Sequence, residues 1–372
     1  GEEDAEAGED GQGEQAAGRG HAFIIEGADN RAMRSLAGLS PRTVGLAAAV
    51  VTVVIWTSFI VIARASAQRS LTPFDLAFAR IVGASLILVP WGIWLVRSGR
   101  LPGWLGLSPL SFRLTALTGL FGGLLYAMLA YAGFFYAPAA HASVLMPGSL
   151  PLWTTLLAAL ILRDRITPAR AAGLVLIVSG DLLVGGSSLL QAFSGGEVWK
   201  GDLLFMSAAF CWATYSVLAR RHKLDAVHAT IAITVFALLA YVPAYALLAV
   251  TGAVPSQLAA APAGEVVFQV LFQGWGSVVI SGITFTTMIR HYGPVRSTMI
   301  TALVPGLSAL GAVFFLGEPL HWNLLAGLVL VTGGILFGVR AAAAPPVAAN
   351  SIAPHAASVR AGGTFDPKGG AS

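Results

Sequence analysis

The sequence predicts an all-α membrane protein: ten transmembrane helices arranged as two inverted five-helix repeats. Three observations carry that expectation. First, 56% of the 372 residues are hydrophobic and only 11% are charged, whereas a soluble surface needs about 25% charged residues. Second, apolar runs long enough to cross a bilayer, about 20 residues each, recur along the chain between short polar links. Third, one unit is used twice. Pro151–Gly180 and Pro305–Gly334 stand at a constant offset of 154. Each opens on proline, reaches an acid (Asp164, Glu318), runs through Ala-Gly-Leu-Val-Leu (172–176, 326–330) and closes on glycine.

Taken in order, residues 1–40 hold nine of the 18 acids, are Gly/Glu-rich and lack periodicity. They are expected to be a disordered tail. They do not resemble a secretory signal, which needs a basic start and an apolar middle. Spanning helices are expected at 43–63, 73–96, 114–137, 139–162 and 168–188, then at 201–219, 226–250, 266–289, 295–316 and 321–339. Only the turn around Ala137-Pro138 separates the third from the fourth. Residues 341–372 are rich in Ala, Pro, Gly and Ser and read as a second disordered tail.

The repeat extends to the start of each half. The first helix carries Trp56-Thr57-Ser58-Phe59 and ends its motif on Ala63-Arg64. The sixth carries Trp212-Ala213-Thr214-Tyr215 and ends on Ala219-Arg220, at an offset of 156. Each half, 43–188 and 201–339, is therefore five helices. Because five is odd, the second copy enters the membrane from the opposite side. Inverted repeats of this kind are typical of secondary transporters, with the site near the midplane between the halves.

Positive charge sets the orientation. With the N-terminus in the cytoplasm, fifteen Lys and Arg lie in cytoplasmic segments, and only Arg64, Arg69 and Lys200 lie in outer ones. Both termini are then cytoplasmic. Between residues 41 and 340 there are 17 basic and 8 acidic residues. In a soluble protein that excess suggests nucleic acid, but here it sits in short clusters between apolar runs and fits membrane orientation. The single cysteine, Cys211, allows no internal disulfide and no Cys-based metal site. There is no P-loop, no His-Glu-x-x-His, no Cys-x-x-Cys and no dinucleotide fingerprint. No cofactor or metal is expected.

Arg80 is the sharpest candidate residue. It lies about 12 Å into its helix at 1.5 Å per residue, too deep to snorkel, and a charge there costs at least ~2.5 kcal/mol. It either meets a substrate carboxylate or gating partner, or bonds backbone carbonyls. Asp181, in the fifth helix, is a candidate for gating or coupling. It either shares a cavity with Arg80 or sees water near a helix end. Asp164 and Glu318 sit at helix ends and read as structural caps for the helices that follow. Pro151 and Pro305 are expected inside helices, each removing one hydrogen bond. Trp56, Phe59, Trp212 and Tyr215 occupy matching places in the two halves. With Tyr126 and Trp275 they either wall an amphipathic cavity or pack and anchor. Gln273 is a polar group in an apolar run, there to bind or to join helices. His141 and His291 are lone histidines near helix ends and read as satisfied or interfacial.

These motifs together resemble the EamA-like ten-helix permeases of the drug/metabolite transporter superfamily. The matching residues are the Trp-x-[Ser/Thr]-[Phe/Tyr] segments, Phe78-Ala79-Arg80, the two proline-to-acid blocks and Gly201-Asp202-Leu203-Leu204. The family usually has Gly-Glu where this chain has Arg163-Asp164, and an apolar or small residue where it has Asp181. Leu316-Gly317-Glu318 keeps the usual form. The resemblance implies a secondary transporter of the bacterial inner membrane that exports or exchanges small metabolites, amino acids or drugs by alternating access, with proton coupling open. Two other readings stand beside it: a non-transporting regulatory or assembly subunit, and a membrane-embedded lipid-modifying enzyme. The expected partners are the lipid bilayer and a small-molecule substrate.

Overall fold

The structure, a computed structural model, describes residues 40–99 and 103–343. The two tails expected to be disordered fall outside the described residues, apart from Ser40 and 341–343. Five helices form the first half: α1 (Pro41–Ala67), α2 (Pro73–Arg97), α3 (Phe112–Tyr136), α4 (Ala139–Leu162) and α5 (Pro168–Ala192). Five more form the second: α6 (Val198–Arg221), α7 (Ala226–Val250), α8 (Ala263–Tyr292), α9 (Met299–Leu316) and α10 (Trp322–Ala343). Among the described residues, α1 to α9 are long and apolar enough to cross a membrane, and α10 carries a shorter apolar stretch, Trp322–Gly338.

The helix starts follow local chemistry. The Ser40, Thr72 and Thr167 hydroxyls each accept a backbone N–H of the first turn, and each is followed by proline at the first helical position. There the missing N–H costs nothing. Asp225 does the same for α7 through Val227 and His228. Ala137 is extended and Pro138 caps α4, so the expected turn between α3 and α4 is real. Between α8 and α9, helical backbone runs from Ser281 to Thr301 without the expected gap.

Pro151 and Pro305 do not interrupt helices as expected. α4 breaks earlier, at Met146–Ser149, and restarts at Leu150; α9 breaks at Ala302–Leu303 and restarts at Val304. Each proline then stands in the first turn of the restarted segment, where it has no hydrogen bond to remove. In α4, Pro147 and Gly148 supply the break. Both restarted segments end alike. Arg163 (φ 59°) and Gly317 (φ 66°) are left-handed, and the N–H groups of Asp164 and Glu318 donate to Ala158 O and Ala312 O, both at 3.3 Å. This is a C-terminal capping turn built twice.

The inversion of the repeats is visible where α5 crosses α10. A Cβ added to Gly173 would lie 2.8 Å from Gly334 O, and one on Gly180 would lie 2.7 Å from Gly327 O; the converse distances are 2.6 and 2.9 Å. Gly173 and Gly327 are repeat equivalents, as are Gly180 and Gly334. Equivalent residues thus exchange partners along two antiparallel helices, as a two-fold axis through the crossing requires. Elsewhere the halves interlock. α1 packs on α8 and α9, α6 packs on α3 and α4, α2 lies against α8, and α7 lies against α3.

Candidate functional site

The interlocked arrangement brings Arg80 of α2 to the seam between the halves. Its guanidinium donates to Ser277 Oγ of α8 at 2.7 Å and lies 5.5 Å from the centre of the Phe59 ring of α1. These partners are a hydroxyl and a π-face. Asp181 is not among them, so the two candidates are not a pair. Both Asp181 carboxylate oxygens are buried without a hydrogen-bond partner, in α5.

Beside Arg80 runs a buried polar chain across three helices. The Tyr131 hydroxyl donates to Gln273 Oε1 at 3.0 Å, Gln273 Nε2 donates to Gln269 Oε1 at 3.2 Å, and Gln269 Nε2 donates to Ser66 Oγ at 2.7 Å. Gln269 and Gln273 are fully buried. A buried amide is tolerable only when bonded in this way. Gln273 and Ser277 both lie in a π-helical stretch of α8, Val270–Ile280. The repeat-related stretch of α3, Leu120–Leu125, is also π-helical. Such wide turns re-aim side chains and concentrate at functional positions.

The expected aromatic residues divide. Tyr126 packs against Trp212 (4.9 Å between ring centres), and Trp212 packs against Tyr215 (5.3 Å), joining α3 to α6. Trp56 packs on Phe285 of α8 at 5.0 Å, and Phe59 sits edge-on to Tyr131 at 6.0 Å. Trp56, Tyr126, Trp212 and Tyr215 are all partly exposed. Trp275 stands apart from this group. It is 38% exposed, because two residues beyond the buried Gln273 the helix has turned to its outer face.

The helix-end acids make long-range contacts. Glu318 is 9% exposed and meets Arg64 Nε at 3.1 Å. It also accepts the N–H groups of Ala139 and Ala140 at 3.1 and 3.2 Å. The helix it caps is therefore α4 of the other half, not the following α10. Arg64 also donates to Phe134 O at 2.6 Å. The repeat equivalent of this pair is Asp164 with Arg220 (2.5 Å), whose side chains are 29% and 56% exposed. The same ion pair thus occurs at both ends of the bundle, buried at one and open at the other.

His141 is satisfied, as expected, but by an unforeseen partner: its Nδ1 lies 2.8 Å from Asp202 Oδ1. Ser188 donates to the other Asp202 oxygen. Asp202, Tyr131, Gln269 and Ser277 were not singled out from sequence. Tyr131 and Gln269 lacked any signal beyond polarity inside an apolar run. Asp202 stood within a recognised motif but sat too near a helix start to look buried. Among the described residues, no group of three or more His, Cys, Asp and Glu side chains is placed to hold a metal ion.

Comparison with known proteins agrees with this architecture. The profile of the EamA-like transporter family matches residues 43–186 and 199–340. An "Uncharacterized transporter" of Archaeoglobus fulgidus is 31% identical over 192 residues, which is 50% of this chain and 61% of that relative's length. "Uncharacterized transporter YyaM" of Bacillus subtilis is 25% identical over 229 residues, 62% of this chain and 72% of the relative. A solved crystal structure at 23% identity covers 82% of this chain and 99% of its own, with a TM-score of 0.52. At that identity it speaks for the fold alone.

Proposed function

The chain belongs to the EamA-like transporter family, and from that premise we propose that it is a secondary transporter of small carboxylate-bearing metabolites, such as amino acids and related compounds. The observation that carries the proposal is Arg80. It is a cation at the seam between the halves whose contacts are a hydroxyl and aromatic rings rather than an acid. A substrate carboxylate would supply the missing counter-charge through charge-assisted hydrogen bonds. Trp56, Tyr126, Trp212 and Tyr215 would wall the apolar body of the substrate, and Gln273 would hold Tyr131 in place.

Alternating access would be run by the two repeat-related ion pairs. Arg64–Glu318, with its ties to Phe134 O and to the first N–H groups of α4, fastens α1, α3, α4 and α9 at one end. Arg220–Asp164, at the other end, is a formed pair whose side chains are more exposed. In the opposite state the two would exchange burial. On the positive-inside orientation, the fastened end would be extracellular, both termini would be cytoplasmic, and this conformation would be the inward-facing one. The host membrane would be a bacterial plasma membrane. Asp181 remains the candidate for proton coupling.

Reconstituted into proteoliposomes and given a panel of labelled amino acids, other carboxylates, amines and drugs, the protein is expected to accumulate or exchange a carboxylate. Arg80→Ala should lower that flux by at least about tenfold. No flux of any solute, or flux indifferent to Arg80, would sink this reading.

A further inference from the structure

We infer that the groove between α5 and α6, floored by α4, is a binding site for one acyl chain of a membrane phospholipid. The groove has a volume of about 190 Å³, and its surface is almost wholly apolar. Its shape follows from the spacing of the residues that line it. On α5 these are Val178, Leu182, Gly185, Gly186 and Leu189, one stripe at helical spacing. On α6 Trp199, Leu203 and Met206 form a second stripe. The two helices are joined by the short link 193–197, so the stripes lie side by side and the groove follows the helix axes, for about 16 Å along α5 at 1.5 Å per residue. The buried Leu145 of α4 closes its floor. An elongated, unbranched ligand suits this shape.

Two aspartates border the groove, but neither offers it a charge. Both Asp181 oxygens are buried, and those of Asp202 are engaged by His141 and Ser188. A polar headgroup would find no partner inside, so only an alkyl chain belongs there. The open side is lined by Leu182, Leu189 and Leu203, all exposed. In spanning helices such side chains face acyl chains, so the groove is continuous with the lipid-facing surface. Trp199 stands one residue into α6, beside the polar link, at the level where tryptophan meets headgroups. The head would stay there, and the tail would descend toward Met206. The hollow belongs to this half alone. The repeat equivalents of Gly185 and Gly186 are Val339 and Arg340. Nor does helix packing require these two glycines. A Cβ on Gly186 would touch nothing within 4 Å and one on Gly185 nothing closer than 4.0 Å, whereas Gly173 and Gly180 of the same helix meet backbone within 3 Å. Because α4 and α5 belong to the first half and α6 to the second, a chain in the groove touches both.

The test places the full chain in phosphatidylcholine nanodiscs that contain a trace of phosphatidylcholine with a photoactivatable diazirine in one acyl chain. After illumination, peptide mapping should find the label concentrated on the groove-lining residues of α5 and α6 relative to Phe314 and Phe315, an exposed apolar face of α9. Gly186→Leu fills the groove and should lower labelling there at least about tenfold. Gly306→Leu, at an equally open glycine of α9, should leave it unchanged. Each variant would first be shown to be monodisperse. The site rests on the membrane location of the chain and not on the carried solute, so a failed transport assay would leave it standing. Label spread evenly over the lipid-facing helices, or unchanged in Gly186→Leu, would overturn the assignment. Cross-links between two copies through this face would also overturn it and make the groove a contact between protein chains.

Discussion

Arg163 shows how much one residue can reveal about a duplicated fold. It holds the left-handed position that Gly317 holds in the other half, and a side chain there costs about 1 kcal/mol relative to glycine. Arg163→Gly is therefore expected to raise stability by about 1 kcal/mol, seen as a higher Tm in detergent. The equivalent Gly317→Arg should lower it. The two ion pairs should differ in the same experiment. Glu318→Gln leaves Arg64 and the first N–H groups of α4 facing a neutral amide in a nearly closed site and should cost about 3 kcal/mol. Asp164→Asn, at a pair that is largely in solvent, should stay within about 1 kcal/mol. Equal losses would argue against a difference in closure between the two ends. At this scale the sequence showed which residues were equivalent, because motif spacing survives duplication. It did not show which copy was buried, because burial depends on the conformation in which the halves meet.

At the scale of elements, the glycine crossing of α5 and α10 is a close backbone joint between the halves. Gly180 faces the backbone oxygen of Gly327 and the side chain of Val331, so Gly180→Leu must push two helices apart. Helix association in membranes rests on close packing rather than on exclusion of water, so little else can compensate. The variant should lose folded yield in size-exclusion chromatography, whereas Gly186→Leu, six residues further along the same helix and open in space, should not. The helices themselves were readable, since length and apolarity suffice to mark a span. The breaks in α4 and α9 and the π-helical turns in α3 and α8 were not. They are local rearrangements of backbone hydrogen bonds, and only the Pro147-Gly148 break leaves a mark in residue type.

For the whole molecule, orientation and alternation make one joint prediction. Cys211 is the sole cysteine and is buried, so Cys211→Ala provides a background for single-cysteine labelling in intact cells. Ser194→Cys, in the α5–α6 link, should react with a membrane-impermeant maleimide added outside. Lys223→Cys, in the α6–α7 link, should react only after the cells are opened. The reverse pattern would invert the assignment of the fastened end and make the structure outward-facing. Labelling of both from outside would remove the inverted topology altogether.

The sequence by itself determined the membrane class, the helix count and the duplication. These are properties of apolarity, length and spacing, which are written residue by residue along the chain. It also marked Arg80 as exceptional, because a charge deep in an apolar run is costly wherever the helix packs. Only the tertiary structure decided what Arg80 meets, that Asp181 lies apart from it with both oxygens buried and unpartnered, and that Glu318 caps a helix of the other half. Those facts depend on contacts such as Arg64–Glu318, 254 residues apart in the chain. They are fixed by how ten similar helices cross, and helix crossing follows from close approaches of glycine backbones rather than from the pattern of any one helix.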